Sequence, residues 1–404
     1  MRPEPKNKLI KPIFIYKNKK LYGKLENGQI FLKKGNKYEI SDSLKNEMID
    51  ILPQGLDLMV MLYAFSIENP IELLSYLNNA IGDFDFSTQD NEVHFKKPIM
   101  SNLTLEQTFP LILPCEMSNN FSSNDLYPYP TFEAKPKQNL SLSGYQHKLQ
   151  VSIIDSVIEL NYADFILKPN SKRFWNLPLN EHLNMSFMRE FGFEVPFNAL
   201  IYDEYYQKYH YVIKRFDIDE NGNKLPQISL WTLMQGSKST RATIDSISAL
   251  LKNKLDSTQK MQFLKYIYAN ALLFNNDLHT KNISFVYRNG KLILSPAYDI
   301  LNVYAIIPES KWTILSKWQC CLKINRRLKD ITIDDFKASS KNLGLDFGEV
   351  KANLRAIQNI YIKKYPQYVK KLTNLPYTCN ADRLQDNLLD SYKKCVKVIK
   401  NRHT

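Results

Sequence analysis

The chain has 404 residues, of which 44% are hydrophobic, and its 54 Lys and Arg against 41 Asp and Glu give a formal charge of +13. This length predicts two or three globular domains, and a count of only 12 glycines excludes a collagen-like or Gly-rich disordered chain. No apolar run reaches the roughly 18 residues that span a bilayer, and the first residues lack the apolar core of a signal peptide. We therefore expect a cytoplasmic protein with no membrane partner.

The cysteines and the basic charge carry little functional signal by themselves. The five cysteines are odd in number and lack CxxC spacing, so they predict neither a disulfide framework nor a zinc site. The positive charge permits an acidic partner or nucleic acid, but most of the lysines are scattered, which is typical of a generally basic surface. The densest basic run, over residues 393–402, is interpreted as a solvated last helix or as a patch for an acidic partner.

The first hundred residues have the pattern of a small α+β module. Apolar and polar positions alternate over residues 12–40 and break at Asn27-Gly28, which predicts a β-meander of three or four short strands. Residues 43–82 then repeat apolar positions at helical spacing. We assign this module to residues 1–117 and interpret the Ser-, Asn- and Pro-rich residues 118–139 as a linker.

Strand-like runs resume after the linker and are interrupted by one helical segment. Beyond residue 240 helical spacing dominates, and Asp256 or Ser257 is placed to cap a helix. A strand-rich region followed by a helix-rich region is the order of a two-lobed kinase. We therefore predict an α+β, two-lobed protein-kinase-like fold, with a strand-rich lobe over residues 140–235 and a helical lobe over residues 236–404.

The strongest candidate site is the segment Asp277-Leu278-His279-Thr280-Lys281-Asn282, followed by Asp299. Phosphoryl transfer needs a carboxylate beside the attacking hydroxyl, oxygen ligands for Mg²⁺ and positive charge near the phosphate. Asp277 can supply the base, and Asn282 and Asp299 can supply the metal ligands. Each residue alone is common in turns, but the combination indicates catalysis. A β-hairpin predicted between Asn282 and Asp299 brings the two close together.

Two further segments are candidates for binding a nucleotide. Lys168 closes a short apolar strand, where it can reach the phosphates of ATP or simply extend into solvent. Glu181, at the predicted start of a helix near residue 180, can pair with Lys168 or can favour the first turn of that helix. Residues 141–148 contain one glycine, and their backbone N–H groups can cradle phosphates or form an ordinary turn.

Taken together, these segments resemble the HipA family of bacterial toxin serine/threonine kinases, from about residue 12 to about residue 375. SLSGYQHK is similar to the family's nucleotide loop, and FILKP is similar to the strand that carries its ATP-binding lysine. NEHLNMSFMREFGFEVP resembles its Asn-Glu helix, and YVIKRFD resembles its strand near the adenine hinge. NNDLHTKNISF and LSPAYDILN resemble its catalytic and metal-binding loops.

The resemblance implies a role for each matching residue, with ATP and Mg²⁺ as cofactors. Asp277 is implied to be the catalytic base, with His279 and Lys281 against the phosphates. Asn282 and Asp299 are implied to hold Mg²⁺. The residues implied to line the ATP site are Ser143, Gly144, Tyr145, Gln146, His147, Lys148, Lys168, Glu181, Lys214, Arg215, Phe216, His279, Asn282 and Asp299.

The resemblance also implies regulation and partners. Family members autophosphorylate a serine of the nucleotide loop and thereby inactivate themselves; the matching residue is Ser141, with Ser143 as a second candidate. They arrest growth by phosphorylating an aminoacyl-tRNA synthetase, and a HipB-like helix-turn-helix antitoxin neutralises them, so DNA is reached only through the antitoxin. In some relatives a small HipS-like inhibitor replaces the N-terminal module. Residues 225–240 match the family pattern only at their start, which leaves the substrate-facing surface undefined.

Three other functions remain open from the sequence. A pseudokinase or autoinhibited module could act by binding an antitoxin and DNA, although such a scaffold has no need for an intact set of candidate catalytic residues. A small-molecule or lipid kinase is the second, because Asp-x-His-x-x-Asn loops also occur in lipid kinases. Direct nucleic-acid binding is the third and depends on net charge alone. Trp231 and Trp312 lack motif context, and we interpret both as packing residues.

Overall fold

The computed structural model of the chain describes residues 11–65, 67–77, 80–89, 95–127, 146–171, 174, 176–236, 242–307, 318–376 and 381–401. These residues form two compact units. The first unit takes its residues from the ranges 1–104, 115–169 and 217–228, and the second from 105–114, 170–216 and 229–404. Each unit is built from several stretches of chain, and the domain boundaries expected from the sequence stay a prediction.

The first unit begins with an antiparallel sheet that confirms the predicted β-meander. Its strands are β1 (Ile13–Lys17), β2 (Lys20–Glu26), β3 (Gln29–Lys34), β4 (Lys37–Ile40) and, later in the chain, β5 (Phe84–Ser87). The two-residue turns Asn18-Lys19 and Asn27-Gly28 have positive φ at both positions, which suits the right-handed twist of paired strands. Strand β5 returns beside β1, so the order is β4-β3-β2-β1-β5.

Helical structure follows the meander, as the spacing over residues 43–82 predicts. It comprises α1 (Asp42–Ile51), α2 (Gly55–Ala64) and a 3-10 segment (Pro70–Tyr76). Ser41 caps α1, because its hydroxyl accepts the Leu44 N–H at 3.2 Å. Leu44 and Met48, one turn apart on α1, are both buried, so the apolar face of this helix contributes to the core of the unit.

A second sheet in the first unit contains the strand-like runs predicted after residue 148. Its elements are β6 (Glu116–Met117), the short helix α3 (Ser123–Leu126), β7 (Leu149–Ile154), β8 (Val157–Leu160) and β9 (Phe165–Lys168). Strand β7 pairs antiparallel with both β8 and β9, and β6 pairs parallel with β8. The sequence of β7, LQVSII, alternates apolar and polar residues, yet five of its six residues are buried, including Gln150 and Ser152, so both faces of this strand are covered.

The second unit contains the single helix predicted among the strands. Helix α4 (Leu177–Glu190) precedes an antiparallel hairpin of β10 (Asn198–Asp203) and β11 (Lys208–Lys214). The helix begins three residues before the predicted position, with Pro178 in its first turn. Glu181 therefore lies in the second turn, so the alternative that it serves as a first-turn acid is wrong.

Helices dominate the remainder of the second unit, as the spacing beyond residue 240 predicts. Asp256 caps the helix over 257–272, since its carboxylate accepts the Gln259 N–H at 2.9 Å. The remaining strands are β12 (Gln227–Ser229), whose residues fall in both units, β13 (Ser284–Arg288) and β14 (Lys291–Leu294). The remaining helices are α5 (Leu230–Leu233), α6 (Ile244–Leu251), α7 (Ser257–Leu272), α8 (Val303–Ile306), α9 (Lys337–Leu343), α10 (Phe347–Lys370) and α11 (Ala381–Asn401).

Helix α10 continues through a proline because a neighbouring helix completes its hydrogen bonding. Pro366 has no N–H for the carbonyl of Ile362, four residues earlier. The hydroxyl of Tyr392, on α11, donates to that carbonyl at 2.9 Å. The proline thus lies at a point of contact between α10 and α11, where a side chain replaces the missing backbone donor.

Many of the abundant tyrosines lie in the core of the second unit. Tyr268, Tyr361 and Tyr365 are almost fully buried, and the Tyr268 hydroxyl donates to Gln358 at 2.8 Å. Phe187 of α4 makes an edge contact with Tyr365, at 5.0 Å between ring centroids. These aromatic side chains therefore form part of the core of the second unit.

Candidate active site

The end of α7 sets the start of the candidate catalytic loop. The Phe274 N–H donates to the Ala271 carbonyl at 3.2 Å, and the Asn275 N–H donates to the Asn270 carbonyl at 3.0 Å. These two bonds form a Schellman motif, in which the residue corresponding to Phe274 is usually a glycine. Phe274 has φ 56° and is buried, so packing holds a bulky residue in the left-handed region. The chain consequently leaves the helix in a fixed direction.

The loop from Asp277 to Asn282 is closed by its own hydrogen bonds. The His279 N–H donates to the Asp277 carbonyl at 2.7 Å, and the Asn282 side-chain amide donates to the same carbonyl at 3.0 Å. His279 Nδ1 accepts the Lys281 N–H at 3.2 Å, which caps a 3-10 turn over Thr280–Asn282. Asp277 and His279 are exposed, so a substrate hydroxyl can reach the Asp277 carboxylate.

The predicted hairpin is present and returns the chain to this loop. Strands β13 and β14 pair antiparallel around Asn289-Gly290, both with positive φ. The Tyr298 hydroxyl then donates to the Lys281 carbonyl at 3.0 Å, and the Asn275 side-chain amide donates to the Asp299 carbonyl at 3.3 Å. The segment around Asp299 is thus hydrogen-bonded directly to both ends of the candidate catalytic segment.

The negative charge of Asp299 acts on two buried tyrosines that the sequence did not identify as site residues. Asp299 itself has φ 54°, a left-handed conformation that Asp tolerates better than most residues. Burial raises the pKa of Tyr266, and the negative charge of Asp299 raises it further. Burial also raises the pKa of Tyr211, with further contributions from the charges of Glu181 and then Asp299. Tyr211 therefore lies near both carboxylates, which brings Glu181 and Asp299 into one neighbourhood.

Asn180 fixes the position of the chain beyond Asp299. Its side-chain amide donates to the Asn302 carbonyl at 2.9 Å, and its side-chain oxygen accepts the Asn302 N–H at 2.8 Å. Asn184, one turn along α4, donates to the same Asn180 oxygen at 2.9 Å. The Asn-Glu pair of α4 thus has two functions, with Asn180 holding the backbone and Glu181 placing a carboxylate near Tyr211.

Trp231 is a second residue whose part in the site the sequence did not reveal. The Lys281 ammonium lies 4.7 Å from the centroid of the Trp231 ring, within the range of a cation–π contact. Helix α5, which carries Trp231, is held against this region because the Leu230 N–H donates to the Ile283 carbonyl at 2.8 Å. The interpretation of Trp231 as a packing residue is therefore incomplete, and Trp312 lies outside the described residues.

Cys321 lies near the Asp277 carboxylate. Burial raises the pKa of its thiol to about 12, and the negative charge of Asp277 contributes to this rise. The thiol therefore stays protonated at neutral pH and is a poor nucleophile.

The candidate hinge residues lie at the end of β11. Lys214 is half-buried, and Arg215 is buried. The ring of Phe216 lies 5.4 Å from that of Tyr298, the residue that precedes Asp299. The structure thus connects the predicted adenine strand to the metal-binding segment through two aromatic rings.

The first unit contains the candidate phosphate-binding lysines. Leu149 of β7 pairs with Leu167 of β9, and continuation of this antiparallel register places Lys148 opposite Lys168. Both lysines are almost fully buried. Both lysines therefore stay candidates for contact with a phosphate. The pairing of Lys168 with Glu181 stays a prediction.

The nucleotide loop is only partly described. Gln146 is half-buried, and His147 directs both ring nitrogens to protein acceptors, Asp57 and Asp125. Four predicted residues of the loop lie outside the described part of the chain, namely Ser141, Ser143, Gly144 and Tyr145.

The donor atoms of the second unit fit Mg²⁺ better than a softer metal. Asn282 and Asp299 offer amide and carboxylate oxygens, which hard cations prefer. Since the Asn282 nitrogen already donates to the Asp277 carbonyl, its oxygen is the atom that remains for a cation. Within the described ranges no group of three or more His, Cys, Asp or Glu side chains is arranged to hold a metal ion.

Among the helices that the structure describes, none has the length and apolar character to cross a membrane.

Comparison with known proteins gives a family match and a curated relative. The family of the HipA-like C-terminal domain matches residues 140–364, which is more than half of the chain. A putative kinase of Haemophilus influenzae is 33% identical over 195 residues, which cover 43% of this chain and 55% of that protein. The match thus spans little more than half the length of this curated relative.

The solved structures show the fold. HipA of Shewanella oneidensis MR-1, solved with HipB and operator DNA, superposes with a TM-score of 0.69 at 15% identity, covering 97% of this chain and 99% of HipA. The Helicobacter pylori proinflammatory kinase CtkA gives a TM-score of 0.45 at 14% identity, over 64% of this chain and 91% of CtkA. The likeness to HipA confirms the predicted α+β, kinase-like fold.

Proposed function

We propose that this chain, which belongs to the HipA family by its HipA-like C-terminal domain, is an ATP-dependent serine/threonine protein kinase. One observation carries the proposal. The segment at Tyr298-Asp299 is hydrogen-bonded to Lys281 in the loop from Asp277 to Asn282 and to Asn275 just before that loop, so a base and two oxygen ligands come from adjoining segments. This is the set of groups that phosphoryl transfer requires.

Each residue of the set has a distinct part in the proposed reaction. The exposed Asp277 carboxylate accepts the proton of the attacking hydroxyl. Asn282 and Asp299 would hold Mg²⁺, which when bound neutralises charge on the phosphates of ATP. Lys281 adds a cation beside the transferred group. The new bond joins the substrate oxygen to the γ-phosphorus, the bond between that phosphorus and the β–γ bridging oxygen breaks, and ADP leaves.

We place Lys148 and Lys168 at the phosphates as well. Lys168 closes β9 and Lys148 directly precedes β7, and the positive charge of both buried side chains suits contact with the phosphates of ATP. Self-phosphorylation at Ser141 or Ser143 would add about −1.5 to −2 charge to the segment immediately before Lys148. That phosphate would compete with ATP for the lysines, which supports self-inactivation as the mode of control.

The biological setting follows from the same likeness. HipA of Shewanella oneidensis MR-1 belongs to a toxin–antitoxin system and was solved with HipB and operator DNA. We propose that this chain is likewise a toxin kinase that binds a HipB-like antitoxin and reaches DNA through it. An aminoacyl-tRNA synthetase is the proposed substrate, with arrest of translation as the consequence, and a small HipS-like protein is a further candidate partner.

A transfer assay tests the chemical part of the proposal. The purified chain is given Mg²⁺, labelled ATP and peptide libraries with Ser, Thr or Tyr as the acceptor. Asp277→Asn and Asp299→Asn are each expected to lose at least 100-fold in rate while retaining the wild-type circular dichroism spectrum. Asp382→Asn is the matched control, because this exposed aspartate lies on α11, away from the candidate loops in sequence, and should transfer at the wild-type rate.

Other outcomes would select another function. Turnover of ATP without transfer to any peptide or protein would favour a small-molecule or lipid kinase. Binding of ATP without turnover in the wild type would favour a pseudokinase. A rate that Asp277→Asn leaves unchanged would contradict the assignment of the base.

A further inference from the structure

Three stretches of the first unit meet at a histidine just before β7. His147 Nδ1 lies 2.8 Å from a carboxylate oxygen of Asp57, in α2, and its Nε2 lies 2.6 Å from the carbonyl oxygen of Asp125, in α3. The side chain of Asp57 is 1% exposed and that of His147 is 12% exposed. The contact is thus a largely buried bridge from the N-terminal α+β module to the beginning of the second sheet.

The two contacts hold the ring from opposite sides. The imidazole of His147 lies between a carboxylate oxygen of Asp57 and the carbonyl oxygen of Asp125, which come from different segments of the chain. Because both contacts are largely buried, removal of the Asp57 side chain would leave the ring held by one contact only.

His147 lies next to a candidate phosphate-binding lysine, so the bridge bears on the nucleotide site. The residue follows the predicted nucleotide loop and directly precedes Lys148, which the strand register places opposite Lys168. Because the ring is held from two sides, the main chain is fixed at the point where it enters β7. The ring nitrogens face protein acceptors, so His147 is oriented to hold the chain rather than to contact phosphate.

We propose that Asp57 and His147 are positioning residues of the nucleotide site. Through Asp57, the N-terminal module supplies the carboxylate that fixes His147 and, through it, the Lys148 side chain. The module therefore supports nucleotide binding. This inference rests on the proposed function for the identity of the ligand, but the contact itself does not depend on it.

Nucleotide affinity tests the inference on the full chain. The variants are Asp57→Ala, Asp57→Asn and His147→Gln, and the probe is a non-hydrolysable ATP analogue with Mg²⁺, measured by calorimetry. Asp57→Ala and His147→Gln should each raise the Kd about 10-fold, because the lysine is no longer held in place. The double variant should bind no more weakly than the weaker single variant, since the two residues act as a unit. Asp57→Asn keeps an acceptor oxygen, so it should raise the Kd by less than Asp57→Ala does.

The same unit offers a matched control. Asp85 forms an ion pair with Lys224 at 3.0 Å, in which both side chains are largely buried. Asp85→Asn removes a comparable charge far from His147 in the sequence, and its Kd should stay within about twofold of the wild-type value. An increase of the same size in Asp85→Asn and Asp57→Ala would mean that the Asp57 effect is general destabilisation, and would overturn the proposal.

Hydrogen exchange separates this inference from the proposed function. In the absence of nucleotide, Asp57→Ala should speed amide exchange in the peptide covering residues 146–151 about 10-fold or more, while β1 and β2 keep their protection. If the wild type bound no nucleotide, the proposed function would fail, and this exchange would still decide whether Asp57 holds the segment. Unchanged exchange at residues 146–151 in both Asp57→Ala and Asp57→Asn would contradict the inference.

Discussion

One side-chain amide, that of Asn180, binds both peptide groups of Asn302. The Asn180 nitrogen donates to the Asn302 carbonyl at 2.9 Å, and the Asn180 oxygen accepts the Asn302 N–H at 2.8 Å. Asn302 lies three residues after Asp299, and both Asn180 and Asn302 are fully buried. The amide thus fastens α4 to the segment that presents the candidate metal ligand.

We expect Asn180→Ala to destabilise the chain by about 3 kcal/mol, because it leaves two buried peptide groups unsatisfied at about 1–3 kcal/mol each. Denaturant unfolding of the two proteins measures the change. Asn353→Ala is the control, since the Asn353 side chain bonds only to its own helix, donating to the Glu349 carbonyl at 3.0 Å. The control should change the free energy of unfolding by less than about 0.5 kcal/mol. Equal losses in the two variants would contradict this account of Asn180.

Trp231 should affect catalysis through Lys281. We expect Trp231→Leu to reduce kcat/KM about 5-fold, corresponding to a cation–π contact of about 1 kcal/mol. Trp231→Phe keeps a weaker aromatic face, so its kcat/KM should fall by less than that of Trp231→Leu. In a Lys281→Met background, Trp231→Leu should cause little further loss, because the cation it holds is absent.

A direct probe of this contact needs no catalysis. The Lys281 side-chain methylene protons should show upfield-shifted NMR signals from the indole ring, and Trp231→Leu should remove the shift. Additive losses in the double variant, together with unshifted Lys281 signals, would show that Trp231 acts only by packing.

His182 should make the second unit sensitive to mild acid. Burial lowers the pKa of this histidine from 6.5 to about 4, and its Nε2 accepts the Leu111 N–H at 3.0 Å, which protonation would prevent. The unfolded chain therefore binds more protons between pH 6.5 and pH 4, so the free energy of unfolding should fall as the pH falls through this window. The total loss is about 3 kcal/mol by pH 4.

Denaturant unfolding at pH 7 and pH 5 measures this dependence. The loss between the two values should be smaller in His182→Gln by about 2 kcal/mol, because glutamine keeps an acceptor for Leu111 but does not titrate. Identical pH dependence in the wild type and the variant would contradict the assignment.

We expect the hydroxyl group of Tyr392 to stabilise α10. Its hydroxyl satisfies the Ile362 carbonyl that Pro366 leaves without a backbone donor. Tyr392→Phe should therefore cost about 1–2 kcal/mol in the free energy of unfolding. Tyr287→Phe removes a hydroxyl from an exposed tyrosine and should cost almost nothing. Replacing Pro366 by Ala in the Tyr392→Phe background should restore much of the loss, since the backbone N–H returns.

Local sequence patterns predicted most elements of the fold. The meander, the Asp256 cap and the hairpin of β13 and β14 depend on neighbouring residues, which a single sequence displays. Helix α4 begins three residues earlier than predicted, because Pro178 is tolerated in the first turn of a helix.

The supporting contacts of the site could not be predicted in the same way. The Asn180–Asn302 contact spans 122 residues, and the His147–Asp57 contact spans 90. Trp231 belongs to no motif, and Tyr211 opens the segment YVIKRFD but has no reactive group that marks it as a site residue. Motifs identified the residues proposed to react, while the residues that hold them in place required the three-dimensional structure.

The measurement that tests the central claim most directly is the mass of the purified chain after incubation with Mg²⁺ and ATP. Wild type and Asp277→Gln are first treated with phosphatase, then incubated, and the phosphate is mapped by peptide mass spectrometry. We predict one or two added phosphates in the wild type alone, at Ser141 or Ser143. Phosphate at the same level in Asp277→Gln, or ATP consumption by that variant at the wild-type rate, would contradict the proposed kinase site.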